Sequence, residues 1–137
     1  SCREDMLDQH LTFRTAAPGD LHRVHSLEEA GYPADEAASL DSLTYRIHQA
    51  SSVFLVATLG SELVGFVCGT QTPRDELDHA SMFTHDPQGR TLCIHSVCVG
   101  EKHRRQGIGS RLLRAYIKHV STIEQPSLHS IRLLCKE

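Results

Sequence analysis

The feature that most constrains this chain is an apolar run that leads through a basic, glycine-containing turn into a helical pattern. Residues 91–99 read TLCIHSVCV, a run without Pro or Gly in which most residues favour β-structure. Gly100 ends the run, and residues 101–105 (EKHRR) form a charged turn. From residue 106 onward the pattern is helical, with a predicted stripe of Ile108, Leu112, Ala115 and His119. The segment therefore predicts a buried strand, a turn and an amphipathic helix.

The turn has the composition of an anion site. Gly107 and Gly109 lie at the predicted helix start, next to Arg104 and Arg105. The first turn of a helix presents unpartnered N–H groups and the positive end of the helix dipole, and glycine lets an anion approach closely. A phosphate or pyrophosphate is the expected ligand. The alternative is a basic surface turn with a flexible helix start, and the RxxGxG spacing alone leaves both open.

The strand and the turn together resemble a known motif. Arg104-x-x-Gly107-x-Gly109 after a β-strand is similar to the segment with which the GNAT family of N-acetyltransferases binds the pyrophosphate of acetyl-coenzyme A. Residues 85–113 resemble, without a gap, the corresponding segment of the arylalkylamine (serotonin) N-acetyltransferases. The resemblance implies an enzyme that transfers acetyl from acetyl-coenzyme A directly to a small amine, with an arylalkylamine favoured.

The resemblance also implies roles for individual residues. The family carries a His-x-His pair in this strand, and here His95 takes the second position and Cys93 the first. His95 is the expected general base, the alternative being a buried histidine bonded to a backbone carbonyl. Cys93 is expected either to pack in the core beside a water or, less in keeping with direct transfer, to carry the acetyl group. A strand bulge is expected to free backbone groups of Val97, Cys98 and Val99 for the pantetheine arm and the thioester carbonyl. The implied pyrophosphate loop comprises Arg104, Arg105, Gln106, Gly107, Ile108, Gly109 and Ser110.

The amine is expected to bind under a lid. Tyr32 and Pro33 correspond to the region in which the family builds a mobile segment over its substrate, and Val97 is expected to border the same pocket. The alternative is an ordinary break between two helices, which Gly31 and Pro33 produce without any ligand. Both readings stay open at this point.

The whole chain predicts an α/β fold with a mixed sheet flanked by helices, in the order β-α-α-β-β-β-α-β. Asp20 is the predicted N-cap of the first helix, which Gly31 ends. The predicted elements are a strand over 11–15, a helix bearing Leu21, Val24 and Leu27, a helix over 34–49, strands over 53–59 and 63–70, a loop over 71–89, the central strand and helix, and a strand over 130–135.

By resemblance, residues 1–137 form a single GNAT domain whose C-terminal part is incomplete. In the family a further helix and two strands, with a tyrosine near the thiol of coenzyme A, follow the strand corresponding to residues 130–135. Without them that strand is expected to be an exposed edge, which favours self-association. The opening 15 residues lack the basic-Thr motif of vertebrate relatives, so a non-vertebrate type is expected.

Composition limits the partners. The 137 residues are 39% hydrophobic and 23% charged, with a net charge of −3, so neither nucleic acid nor a membrane is an expected partner. Five cysteines without a CxxC pair favour reduced thiols and a cytoplasmic location. The histidines complete no ligand spacing, so no metal is expected. The rival hypotheses are an acetyltransferase for polyamines, lysine analogues or protein amines, and a coenzyme A-binding module with weakened catalysis.

Overall fold

The computed structural model describes residues 10–73, 84–122 and 130–133. Within these ranges the chain forms an α/β fold in the predicted order β-α-α-β-β-β-α-β, which confirms the fold class. The elements are β1 (Leu11–Thr15), α1 (Leu21–Gly31), α2 (Leu40–Gln49), β2 (Phe54–Leu59), β3 (Glu62–Thr72), β4 (Thr91–Val99), α3 (Ile108–Ser121) and β5 (Ser130–Leu133).

The strands form one mixed sheet in the order β1-β2-β3-β4-β5. The first four pair antiparallel, and β5 pairs parallel with the first half of β4, from Thr91 to Ile94. The turn from β2 to β3 is tight because Gly60 adopts a left-handed conformation with φ of 64°. Within the described residues, β4 thus lies between a long antiparallel neighbour and a parallel one that pairs with its beginning.

Helices pack on both faces of the sheet. The four-residue spacing of Ile108, Leu112, Tyr116 and Val120 turns α3 toward one face, where all four side chains are buried. This confirms the first half of the predicted stripe and corrects its second half, since Tyr116 and Val120 take the places expected for Ala115 and His119. The other face packs against α1 and α2 through Val24, Leu27, Leu43 and Ile47, with Phe54, Phe66, Cys68 and Cys98 contributed by the sheet.

Asp20 is the N-cap residue of α1, as predicted, but its side chain makes no capping hydrogen bond there. Its carboxylate instead accepts two hydrogen bonds from the Arg14 guanidinium, at 2.8 and 2.9 Å, and one from the Ala17 N–H at 2.8 Å. The Arg14 hydrogen bonds hold the pKa of Asp20 below its usual range. The residue therefore joins β1 to the turn before α1.

The boundaries of α2 and β3 differ from the predictions. α2 begins at Leu40 because Ser39 caps it, accepting a hydrogen bond from the Ser42 N–H at 3.1 Å. β3 runs to Thr72, since its end still pairs with β4. The final strand is described only from Ser130 to Leu133, so the last two residues of the predicted strand lie outside the described residues.

Candidate functional site

A bulge in β4 determines where His95 lies. Cys68 of β3 pairs with Ser96, and the next residue, Gly69, pairs with Ile94, so the pairing register skips His95. The His95 side chain is 3% exposed, and its Nε2 lies 2.8 Å from Oγ1 of the fully buried Thr70. A hydrogen bond of this length fixes the orientation of the imidazole. The ring is therefore held at the α1 and α2 side of the sheet, the face that carries Phe66 and Cys68.

Cys93 pairs with Thr70 across the ladder. It is fully buried. Cys68, Cys93 and Cys98 are thiols rather than disulfides. Thr70 thus adjoins both positions at which the resembling family places histidine.

Further along β4, the peptide groups of Val97 turn away from β3. The Val97 N–H donates to the Tyr32 hydroxyl, and that hydroxyl donates to the Val97 carbonyl, each at 3.3 Å. The Cys98 carbonyl instead faces β3, where it lies 2.7 Å from the position of a Cβ built on Gly65. The bulge thus lies at His95, two residues before the segment 97–99 in which it was expected. Of the three expected backbone positions, Val97 directs its N–H and its carbonyl to the α1–α2 loop.

Glu28 ties the loop between α1 and α2 to the same place. This carboxylate is fully buried; Oε2 accepts a hydrogen bond from the Ala38 N–H at 2.7 Å, and Oε1 lies 3.6 Å from the Cys98 Sγ. Burial raises the pKa of Tyr32, with smaller contributions from neighbours that include Glu28. Sequence reasoning missed Glu28, although its position four residues after Val24 places a charge in the apolar stripe of α1.

The predicted anion loop has the backbone of an anion site. Gly107 has φ of 78° and Arg105 has φ of 65°, a left-handed conformation that is uncommon for a residue with a side chain. No side chain caps α3, and its first backbone hydrogen bond runs from Arg111 to Gly107 at 3.1 Å. The N–H groups of residues 108–110 are therefore available at the positive end of the helix dipole.

Gly109 is the informative glycine of this loop. A Cβ built on it meets only Val99 Cγ2, at an ordinary 3.6 Å, and its φ is not in the left-handed region. Neither packing nor backbone geometry requires glycine there, and close approach of a ligand remains as a physical reason. Ile108 is 1% exposed, so only its backbone faces an anion.

The site residues lie along one strand. Arg104 Nε donates to the Val99 carbonyl at 3.1 Å, which holds the loop beside the end of β4. Gln106 lies just before α3, and Ser110 lies in the first turn of α3. The Pro33 carbonyl accepts hydrogen bonds from the N–H groups of Glu36 and Ala37, both at 2.9 Å. The structure thus brings together His95, the Val97 peptide group, Tyr32 and the predicted anion loop, while Pro33 shapes the turn after Tyr32.

A second histidine lies near the beginning of β4 and was not predicted. His85 Nδ1 accepts a hydrogen bond from the Gln71 backbone N–H at 3.0 Å, and the backbone N–H of His85 donates to the Tyr45 hydroxyl at 2.9 Å. Burial lowers the pKa of His85. No sequence signal marks this residue, because its neighbours come from two distant elements.

Two further observations concern the described residues alone. No group of three or more His, Cys, Asp or Glu side chains in residues 10–73, 84–122 and 130–133 is placed to hold a metal ion. Over the same ranges, none of the helices has the length and apolar character needed to cross a bilayer.

Comparison with known proteins places these features in a family. The family model described as "Acetyltransferase (GNAT) family" matches residues 21–131. Serotonin N-acetyltransferase of Mesocricetus auratus is 27% identical over 128 residues, which cover 91% of this chain and 61% of the relative. The chain thus spans about three-fifths of the length of that curated relative.

Two acetyltransferases with a different substrate also match. L-2,4-diaminobutyric acid acetyltransferase of Methylotuvimicrobium alcaliphilum is 33% identical over 95 residues, covering 69% of this chain and 47% of the relative. The diaminobutyrate acetyltransferase of Paenibacillus lautus, solved with its substrate and coenzyme A, superposes with a TM-score of 0.62 at 22% identity, covering 87% of this chain and 60% of that one. The second likeness shows a shared fold.

Proposed function

This chain belongs to the GNAT family of acetyltransferases, and on that premise we propose that it moves the acetyl group of acetyl-coenzyme A to the primary amine of a small substrate, with an arylalkylamine favoured. One observation carries the proposal: β4 holds a buried, hydrogen-bonded His95 and a Val97 peptide group that points away from β3, and the turn that follows β4 has the backbone of an anion site. We further propose a cytoplasmic location, because the buried cysteines of the described residues are thiols.

The anion loop would bind the pyrophosphate of the cosubstrate. Backbone N–H groups of residues 108–110 supply donors, and Arg104 and Arg105 supply positive charge. Gly109 leaves room for a phosphate oxygen near the backbone. With the pyrophosphate at this end of β4, the thioester arm would run along the open side of the strand toward Val97. Acetyl-coenzyme A supplies an activated acyl group; the protein supplies its placement.

His95 would remove the proton that blocks the reaction. An alkylamine is protonated near neutral pH, and its nitrogen attacks a thioester only as the free base. His95 takes that proton, directly or through a water, while the Thr70 hydroxyl fixes the ring. The amine nitrogen then forms a bond to the acetyl carbon, the carbon–sulfur bond breaks, and coenzyme A leaves as its thiolate. The second proton that the nitrogen loses as the amide forms passes to that thiolate, directly or through water. Cys93 adjoins Thr70 and takes no part in this direct route.

The choice of amine is supported by the relatives and by the loop after α1. Tyr32 supplies an aromatic ring beside β4, and Pro33 shapes the turn that carries it. A serotonin acetyltransferase matches nearly the whole chain. The diaminobutyrate enzymes favour a second candidate, a small diamine or amino acid with a free side-chain amine.

The test is acetyl transfer from acetyl-coenzyme A to tryptamine, measured for the wild type, His95→Gln and Thr70→Val. If His95 is the base, His95→Gln lowers kcat/KM by about 10²–10⁴-fold, and by less at high pH where more free amine exists. Thr70→Val lowers kcat while Thr70→Ser restores it, because only the hydroxyl orients the ring. Wild-type rates for His95→Gln from about pH 6 to about pH 9 would make His95 structural.

Three controls separate the rival readings. L-2,4-diaminobutyrate and an amino-terminal peptide replace tryptamine in the same assay, and the best kcat/KM identifies the amine class. Coenzyme A binding without turnover of any of these amines would indicate a binding module. If transfer is direct, the Cys93→Ala variant keeps its activity. A complete loss of activity in this variant would indicate an acetyl-cysteine intermediate.

A further inference from the structure

The Val97 peptide group is occupied by a side chain from another layer of the fold. In an antiparallel pair the N–H and C=O of one residue point to the same side, and those of Val97 point away from β3. β5 pairs with β4 only from Thr91 to Ile94, so no strand within the described residues takes these two groups. The Tyr32 hydroxyl takes both of them.

A hydroxyl suits this position because it accepts and donates at once. It accepts from the Val97 N–H and donates to the Val97 carbonyl, at 3.3 Å each. An extended ligand lying along the open side of β4 would use the same pair, with a carbonyl oxygen on the N–H and an amide N–H on the carbonyl. The Tyr32 hydroxyl therefore satisfies the groups that such a ligand needs.

The placement of Tyr32 is defined at both ends of its loop. Its ring packs on the cluster formed by α1, α2 and the sheet. At the far end of the loop, the Ala38 N–H is held by the buried Glu28 carboxylate at 2.7 Å. Burial raises the pKa of Tyr32, so the phenol keeps its proton and can both donate and accept at neutral pH. The two bonds at Val97 are longer than most hydrogen bonds to a hydroxyl, which marks them as weak and exchangeable.

We propose that the Tyr32 hydroxyl is an exchangeable cap on Val97, present in the cofactor-free protein and displaced when the thioester arm of acetyl-coenzyme A binds. This rests on the proposed function, because it requires that arm to reach Val97. The Tyr32 hydroxyl therefore weakens the binding of the arm without changing the binding of the nucleotide.

Calorimetry with two ligands tests the cap. Acetyl-coenzyme A carries the thioester arm, whereas 3′-phosphoadenosine 5′-diphosphate is its nucleotide portion and ends at the pyrophosphate. Tyr32→Phe keeps the ring and removes the hydroxyl. We expect this variant to bind acetyl-coenzyme A about three- to tenfold more tightly than the wild type, the effect of one or two weak hydrogen bonds that no longer have to be broken. Its affinity for the nucleotide stays at the wild-type value.

Tyr45→Phe is the matched control, since Tyr45 also uses its hydroxyl to bond a backbone group, the His85 N–H. It leaves the affinity for both ligands unchanged. If the wild type binds neither ligand, the proposed function fails. If it binds both and Tyr32→Phe binds acetyl-coenzyme A no more tightly, the cap is wrong. The cap is likewise wrong if Tyr45→Phe raises the affinity for acetyl-coenzyme A as much as Tyr32→Phe does.

A measurement on the wild type covers the case of a poorly folded variant. The backbone amide resonance of Val97 should shift when acetyl-coenzyme A is added, because the donor changes its acceptor. The nucleotide alone should leave that resonance in place. A Val97 amide that responds to neither ligand, with both bound, overturns the proposal.

Discussion

At the scale of single residues, His85 shows how one ring nitrogen secures a loop. Its Nδ1 accepts the Gln71 N–H, and the neighbouring Asp86 N–H donates to the Gln71 carbonyl at 2.9 Å. The segment from residue 84 is therefore bonded to the end of β3, beyond Cys68, the last residue of β3 that pairs with β2. This arrangement requires an unprotonated Nδ1, in agreement with the lowered pKa.

The stability contributed by His85 should depend on pH. Its pKa in the folded protein lies below the ordinary value of 6.5, so the unfolded chain binds a proton first as the pH falls. Stability from this residue is complete above 6.5 and is lost as the pH falls toward the folded pKa. His85→Asn keeps an acceptor for Gln71 and removes the titration. Urea unfolding at about pH 7.5 and about pH 5.5 should show a smaller decrease for this variant than for the wild type.

His22→Asn is the matched comparison, because His22 is exposed on α1. From the higher pH to the lower one, the urea concentration at its unfolding midpoint should decrease as much as that of the wild type. A decrease for His85→Asn equal to that of the wild type would mean that the ring does not titrate with folding.

At the scale of elements, the start of α3 must both begin a stable helix and leave room for the proposed pyrophosphate. The substitution Gly109→Asp separates these two requirements. A carboxylate in the first turn of a helix stabilises it through the helix dipole. The same carboxylate at residue 109 would stand where a pyrophosphate is proposed to bind. Gly109→Asp should therefore fold normally, yet weaken coenzyme A binding by roughly 2–4 kcal/mol through lost contacts and charge repulsion.

Calorimetry with coenzyme A, together with thermal unfolding, checks this prediction. Gly19→Asp adds the same charge at a turn where a Cβ meets nothing within 4 Å, and it should leave the affinity unchanged. Gly109→Ala should lose less affinity than Gly109→Asp, because the added Cβ meets only Val99 at 3.6 Å. Unchanged affinity in a folded Gly109→Asp protein would remove the loop from the cofactor site.

The same elements show what sequence can and cannot predict. Residues 91–121 were predictable because a continuous apolar run, a glycine turn and a helical stripe lie within one stretch and depend little on the rest of the chain. The bulge at His95 was not, since register depends on two strands at once. Thr70 and Tyr32 acquire their partners from β4, at 25 and 65 residues' distance. Such contacts exist only after the layers have packed.

At the scale of the whole molecule, β5 is the outermost described strand on its side of the sheet. Its Ile131 is 39% exposed. An exposed apolar side chain on an edge strand favours association with a second copy. We therefore expect the 137-residue chain to self-associate in solution, as the sequence suggested.

Sedimentation velocity tests this expectation. Ile131→Lys should shift the protein toward the monomer, because a charge on an edge strand opposes pairing. Leu40→Lys makes the same change at a residue of similar exposure, 41%, at the start of α2, and should have no effect. A wild-type chain that sediments as a monomer over the whole concentration range would contradict the expectation.

The bulge in β4 also changes the parity of the strand. Before it, the even-numbered residues Leu92 and Ile94 face α3; after it, the odd-numbered Val97 and Val99 do. His95 sits at the point where the parity changes, so it belongs to neither alternating series. The hydrophobic alternation on either side of the bulge therefore does not constrain the residue type at this position. A reversal of even–odd patterning within one strand is thus a sign by which similar bulged positions can be sought in other chains.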